Sequence, residues 1–161
     1  MIERLLTHLA HLPPEWVVLV IGALPIAEVR GAIPAGVALL HLPLWKAFLW
    51  SLIGNLLPIV PILLFLDPVA ALLRRLPIFI RFFDWLFTRT AAQADLVARY
   101  EAIGLALFVA VPLPLTGAWT GCVAASIFKI PFRLAFPAIA AGVVGAALIV
   151  SVAVYTGVQI F

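Results

Sequence analysis

Long uncharged apolar runs, cut at intervals by proline, glycine and a few charges, make up most of the chain. Trp16 to Ala27 is a 12-residue run that ends at Glu28 and Arg30, too short to cross a bilayer core about 30 Å thick. Gly31 to Trp45 follows as a second apolar arm, and Ala47 to Leu66 is an uncharged run of 20 residues, the length of one membrane-spanning helix. Ala102 to Phe128 is again uncharged, but is interrupted by Pro112-Leu113-Pro114-Leu115-Thr116-Gly117-Ala118-Trp119-Thr120-Gly121. Leu134 to Phe161 closes the chain as an uncharged helix, with Gly142 and Gly145 placed for close packing. Two amphipathic stretches complete the pattern. Ile2, Leu5, Leu6 and Leu9 recur at helical spacing before Pro13-Pro14, which predicts a short interfacial helix over Met1 to Leu12. A cleaved leader fits less well, because His8 and His11 interrupt the run. Phe79, Phe82, Phe83, Leu86 and Phe87 form a second such face, with Arg81, Asp84 and Thr88 opposite.

Each interrupted segment predicts a helix-break-helix hairpin that enters and leaves the membrane on one face. Pro25 and Gly31 fall at the first tip, with Pro34 and Gly36 bracketing its far side. A single kinked helix through Glu28 is the competing reading, since membrane helices tolerate Pro and Gly. Leu42-Pro43-Leu44-Trp45-Lys46-Ala47-Phe48 and Ile130-Pro131-Phe132-Arg133-Leu134-Ala135-Phe136 align at an offset of 88, which also pairs Gly54 with Gly142. Gly31-Ala32 pairs with Gly117-Ala118 at 86, and Gly36 with Gly121 at 85. The predicted fold is therefore an all-α integral membrane protein: an inverted repeat of two re-entrant helical hairpins, each followed by a transmembrane helix, with interfacial amphipathic helices. It forms one membrane domain, 1–161, with a first repeat at 1–66, an amphipathic connector at 67–99 and a second repeat at 100–161. Asp67-Pro68 is expected to start the connector's first helix, and Thr90-Ala91-Ala92-Gln93 to cap the next one.

Composition then fixes the class. With 66% hydrophobic and 11% charged residues among 161, and a mean hydropathy of +1.24, the chain lies outside the range of soluble domains. There is no room for a separate catalytic domain. The net charge of +3 is scattered, so it speaks for topology and not for nucleic acid. In the hairpin arrangement Arg74, Arg75, Arg81, Arg89, Arg99, Lys129 and Arg133 share one face, and Arg4 and Lys46 the other. The connector is thus expected to be cytoplasmic, in an inner membrane, with both termini outside; the kinked-helix reading puts both inside. A lone Cys122 leaves no disulfide framework, and His8, His11 and His41 are peripheral, so neither an enzyme, nor a metal, nor a cofactor is expected.

The chemistry concentrates where charge meets apolar sequence. An ionisable side chain at bilayer depth costs roughly 2.5–3.5 kcal/mol on insertion scales, so Glu28 and Arg30 face a partner or a cavity. Arg30 suits an anionic head group through its planar fork. Glu28 suits a coupling proton, because burial and a nearby Arg push its proton affinity in opposite directions. Gly31, Pro34, Pro112, Pro114 and Gly117 shape the two tips, while Thr116 and Thr120 offer hydroxyls and Trp119 an aromatic face. Asn55 stands out inside the first spanning run, beside Pro58 and Pro61. A structural reading stands beside each: Glu28 and Arg30 as an ion pair in a non-transport assembly factor, Asn55 as helix-helix glue, Trp119 and Cys122 as packing. Glu28 as a binder of lipophilic cations, with Trp16 and Trp119 as aromatic walls, is a further alternative.

The stretches Glu28-Val29-Arg30-Gly31-Ala32-Ile33-Pro34 and Pro112 to Gly121 resemble the two signatures of the putative small multi-drug export protein family. That family is similar to the DedA/VTT superfamily. The resemblance covers nearly the whole chain. It implies paired re-entrant hairpins facing each other, drug export by the family's label, and by its DedA-like link the proton-dependent movement of lipid carriers such as polyprenyl phosphate. The expected function is secondary transport, with proton coupling, of an anionic lipid-phosphate or other amphipathic small molecule at a site between the hairpins. Membrane lipids are expected partners, and a homodimer is a further expectation.

Overall fold

The computed structural model describes residues 12–73, 94–111 and 116–160. Among these the chain is helical, with α1 at Pro14–Ala23, α2 at Glu28–Pro34, a π-helical turn at Ala35–Leu39, α3 at Leu44–Leu73, α4 at Ala94–Ala110, α5 at Ala118–Ile127 and α6 at Phe132–Ile160. The expected N-terminal interfacial helix, the Phe79–Phe87 face and the Thr90–Gln93 cap lie outside the described residues. Two compact units divide the chain, one of Met1–Leu57 with Ala147–Phe161 and one of Pro58–Ala146.

Among the described residues two helices are long and apolar enough to cross a membrane, Leu44–Phe65 and Phe132–Gly157. The buried helix of a soluble protein would pass the same test, but these windows are only 22% and 33% buried. On α3 Leu49, Ile53, Leu57, Val60 and Leu64 are exposed and form one apolar stripe at helical spacing, flanked by exposed Trp45, Pro61 and Phe65. The enclosed positions are Ala47, Ser51, Gly54, Asn55 and Ile59, mostly small or polar. Such a helix keeps its oil outward and its small residues inward, the arrangement a lipid solvent favours.

In the first unit α1 and α3 begin side by side. Lys46 Nζ lies 3.0 Å from Glu15 Oε1, and the rings of Trp16 and Trp50 are 5.8 Å apart. Everything from residue 15 to residue 46 therefore leaves and returns to one place. Below that clasp the helices nearly touch through their backbones: a Cβ on Gly22 would sit 2.7 Å from the Ser51 carbonyl oxygen, and one on Gly54 would overlap the Leu19 carbonyl oxygen. Gly36 lies under Val18 and Ala47, where a Cβ would meet each at 2.9 Å. Val18, Ala32, Leu42 and Ala47 form the apolar centre of this bundle.

The first break differs from the expected one. It occupies Leu24 to Ala27, with Pro25 inside it, while Gly31 and Pro34 lie within α2. The Gly31 N–H donates to the Ala27 carbonyl at 2.8 Å, so glycine here continues the helix. Pro34 cannot donate the i to i−4 bond, and the chain accommodates it by passing into the π-helical turn at Ala35–Leu39. Asp67-Pro68 does not start a new helix either, because α3 runs unbroken to Leu73. Apolar surroundings leave backbone groups no alternative partner, which favours continuing the helix through proline.

In the second unit α4 ends at Ala110, the break lies between Val111 and Gly117, and α5 follows. Residues 112–115 lie outside the described residues. Gly142 on α6 meets α4 as Gly54 meets α1: its Cβ would be 2.6 Å from the Ala106 carbonyl oxygen and from Val109 Cβ. The turns preceding α3 and α6 also correspond. His41 and Lys129, 88 apart, have φ of 53° and 51°. The Pro43 carbonyl then accepts from Lys46 and Ala47, and the Pro131 carbonyl from Leu134 and Ala135. Gly36 and Gly121 are not equivalent, however. Gly121 packs closest on Val109 and then on Ile139, the latter one turn beyond the counterpart of Ala47.

Candidate functional site

Charge in the first unit gathers at two levels. Glu15 and Lys46 close the end where α1 and α3 start. The backbone hydrogen bond at the helix start, and secondarily Lys46, hold the Glu15 carboxyl below its ordinary 4.5. Glu28 and Arg30 sit at the opposite end of α2, directly after the break. Glu28 is 6% exposed, whereas Arg30 is only half-buried, and the Glu28 carboxylate acts electrostatically on the guanidinium.

The backbone at Glu28 departs from regular helix, in which residues two apart face opposite ways. Glu28 has φ of +49°, and its N–H still donates to the Leu24 carbonyl at 3.1 Å. A non-glycine residue held there costs about 1–3 kcal/mol and persists only where the surroundings impose it. Gly31, with Ala27 Cβ 2.9 Å from where its own Cβ would be, lets α2 start this close to the break. Pro34 follows Arg30 by about one turn and immediately precedes the π-helical turn.

The second unit places Thr116, Gly117, Trp119 and Thr120 around the other break. Thr116 Oγ1 donates to the Val111 carbonyl at 2.8 Å, closing the break from one side to the other. Thr120 Oγ1 donates to the Gly117 carbonyl at 3.1 Å within the first turn of α5. Both protons are therefore used inside this segment, and the oxygens remain acceptors. Gly117 is extended at the helix start, Trp119 is partly buried in that first turn, and Pro112 and Pro114 lie outside the described residues. Beside α4 and α6 is an open groove of about 410 Å³, lined wholly by apolar residues including Ala102, Ala106, Pro137 and Ala141.

Asn55 is fully enclosed on α3, one turn beyond Ser51. Sequence reasoning passed over Gly22, Ser51, Glu15 and the Trp16–Trp50 contact. The signals were there: Ala47 and Ser51 form a small-xxx-small pair on the first long apolar helix, and Glu15 follows Pro13-Pro14 at a helix start.

Two candidate membrane-spanning helices among the described residues, with apolar outer faces, glycine-mediated backbone contacts and a buried acid at a chain break, fit a helical integral membrane protein with a charged centre beside a broken helix. The chain belongs to the family described as putative small multi-drug export protein, whose sequence profile matches residues 28–149. That match begins at Glu28 itself. No curated protein and no solved structure matches the chain.

Proposed function

We propose that this protein is a secondary transporter that exports amphipathic molecules bearing an anionic head group, with Arg30 as the head-group site and Glu28 as the coupling acid. The family description supports export. The observation that carries the choice of charge is the difference in burial: Glu28 is 6% exposed and Arg30 only half-buried, so the charge within reach of a ligand is the positive one. A guanidinium binds phosphate or carboxylate through two parallel hydrogen bonds. When a ligand occupies Arg30, Glu28 shares its counter-charge and takes up a proton; release of the ligand restores the pair and expels the proton. The re-entrant, inverted arrangement of the two halves belongs to this reading, since alternating access in such proteins moves one repeat against the other.

Thermal unfolding of the purified protein with polyprenyl phosphate and with a lipophilic cation tests it, in wild type, Arg30→Ala and Glu28→Gln. Stabilisation by the phosphate that is lost in Arg30→Ala is the expected result. Stabilisation by the cation that is lost in Glu28→Gln would reverse the assigned charge. A folded wild type that responds to neither, with both variants melting early, would make the pair structural.

A further inference from the structure

The enclosed face of α3 carries two polar side chains one turn apart, Ser51 and Asn55, both at zero exposure. Ser51 Oγ donates its only proton to the Phe48 carbonyl at 3.0 Å, which leaves its oxygen as an acceptor. Asn55 stands differently. Neither its Nδ2 nor its Oδ1 has a hydrogen-bond partner among the described residues. Buried amides in that state are rare in native structures, and each calls for a partner. Residues at i and i+4 have Cβ atoms about 5–6 Å apart, neighbours on one face. For two short side chains that do not bond directly, the interval fits one bridging water.

A buried water needs two to four polar partners. Ser51 Oγ and Asn55 Oδ1 supply acceptors, and Asn55 Nδ2 supplies a donor. A lipid or drug head group is too large for atoms this enclosed.

The depth of this pair is set by the turn before α3. Gly36 packs against Ala47, and the chain reverses between them. Eight residues further along each arm come Glu28 and Asn55, both about 12 Å deeper at 1.5 Å per residue. The charged groups on the parts of these elements that belong to the first unit are Glu15 on α1, Glu28 and Arg30 on α2 and Lys46 on α3. Glu15 and Lys46 are paired at the far end.

We propose that Ser51 and Asn55 form a water site at the depth of Glu28, and that this water exchanges the Glu28 proton. The second half rests on Glu28 being the coupling acid. A proton arriving on the water passes to the Glu28 carboxylate and leaves neutral water on Ser51 and Asn55; the reverse step returns it. Asn55 is a positioning residue in this scheme.

The test uses the full chain in lipid nanodiscs. Magnetisation transfer between water and the Asn55 side-chain amide is expected in wild type and in Glu28→Gln; its absence in folded wild type would overturn the water site. Proton exchange at Glu28, followed after a pH jump through the carboxyl infrared band that Glu28→Gln removes, is expected to slow on the order of a hundredfold in Asn55→Leu, the low end for a positioned proton-transfer group. Asn55→Ser, which keeps a donor and an acceptor, should stay near wild type. Wild-type exchange in Asn55→Leu, or equal slowing in a folded Asn55→Ser, would overturn the proton role. If neither polyprenyl phosphate nor the lipophilic cation stabilises wild type while both signals appear, the transport reading falls and the water site stands.

Discussion

Replacing Gly54 by Ala sets a gain in helix propensity against a backbone collision, and the structure decides which is larger. The gain is about 1 kcal/mol for Gly to Ala in a helix interior. The added Cβ would overlap the Leu19 carbonyl oxygen and lie 2.8 Å from its carbon and 3.0 Å from its Cα. Those are backbone atoms of α1, so no rotamer change relieves them. Overpacking costs typically about 1–3 kcal/mol, and an unyielding backbone places this site at the upper end. A net loss of about 2 kcal/mol follows, which for a chain of this size lowers the melting midpoint by about 4–8 °C. Gly142→Ala should behave alike, because its Cβ would lie 2.6 Å from the Ala106 carbonyl oxygen. Gly157→Ala supplies the opposite sign: nothing lies within 4 Å of its Cβ position, so only the propensity gain remains. Thermal unfolding of the three variants in one detergent measures all of this. If Gly54→Ala and Gly142→Ala were stabilised as much as Gly157→Ala, the backbone contacts that join each spanning helix to its broken partner would be refuted.

At Glu28 the usual helix ranking should invert, Glu28→Gly being more stable than Glu28→Ala by about 1 kcal/mol, because φ of +49° suits glycine; equal melting of the two would refute the strained backbone. His41→Gly and Lys129→Gly, at φ of 53° and 51°, should each stabilise by about 1 kcal/mol for the same reason. Glu15 is held below its ordinary 4.5 in the folded state, so its contribution is complete above that value and is lost as pH falls through the lower folded value. Lys46→Met should reduce that acid-sensitive step in a melting-versus-pH series, and an unchanged profile would speak against it. Thr116→Val should lose about 1 kcal/mol with its hydrogen bond across the second break, and Thr116→Ser should retain most of it in the same assay.

The spacing of apolar runs was enough to locate the spanning helices, since about 20 uncharged residues have few other uses. The turns before α3 and α6 were equally legible, because Pro43 and Pro131 with their flanking residues repeat at a fixed offset. What resisted reading was the role of each Gly and Pro near Glu28. Gly31 and Pro34 look like breakers in isolation, yet the break falls at Leu24–Ala27 and both continue a helix. Local propensity cannot separate a break from a π-helical accommodation when tertiary packing supplies the difference. The pairing of Gly36 with Gly121 failed for a related reason: single glycines align easily, but contact position depends on the turns between. The hydroxyl partners of Thr116 and Thr120 were illegible too, because a threonine near a break can point inward or close the break itself.

The described parts of the two halves share local features but not a chemistry. Their common parts are a left-handed residue, a proline carbonyl that accepts the first helical bonds, and a glycine pressed on a neighbouring backbone. Their breaks differ in kind. The first is followed at once by Glu28, strained, buried and coupled to Arg30; the second is closed by Thr116 on the Val111 carbonyl, with no charged residue between Gly104 and Phe128. Glycine contacts of this kind serve folding in each half, while on the proposed reading one charged centre is enough to recognise a ligand or carry a proton. Placing it in one half limits the cost of burying charge to a single site. The strain at Glu28 has the same logic, since a conformation that costs free energy in every folded molecule is retained where a precise side-chain position is used. Changes at Glu28 and Arg30 should therefore move ligand response and proton exchange, and changes at Thr116 should move stability alone.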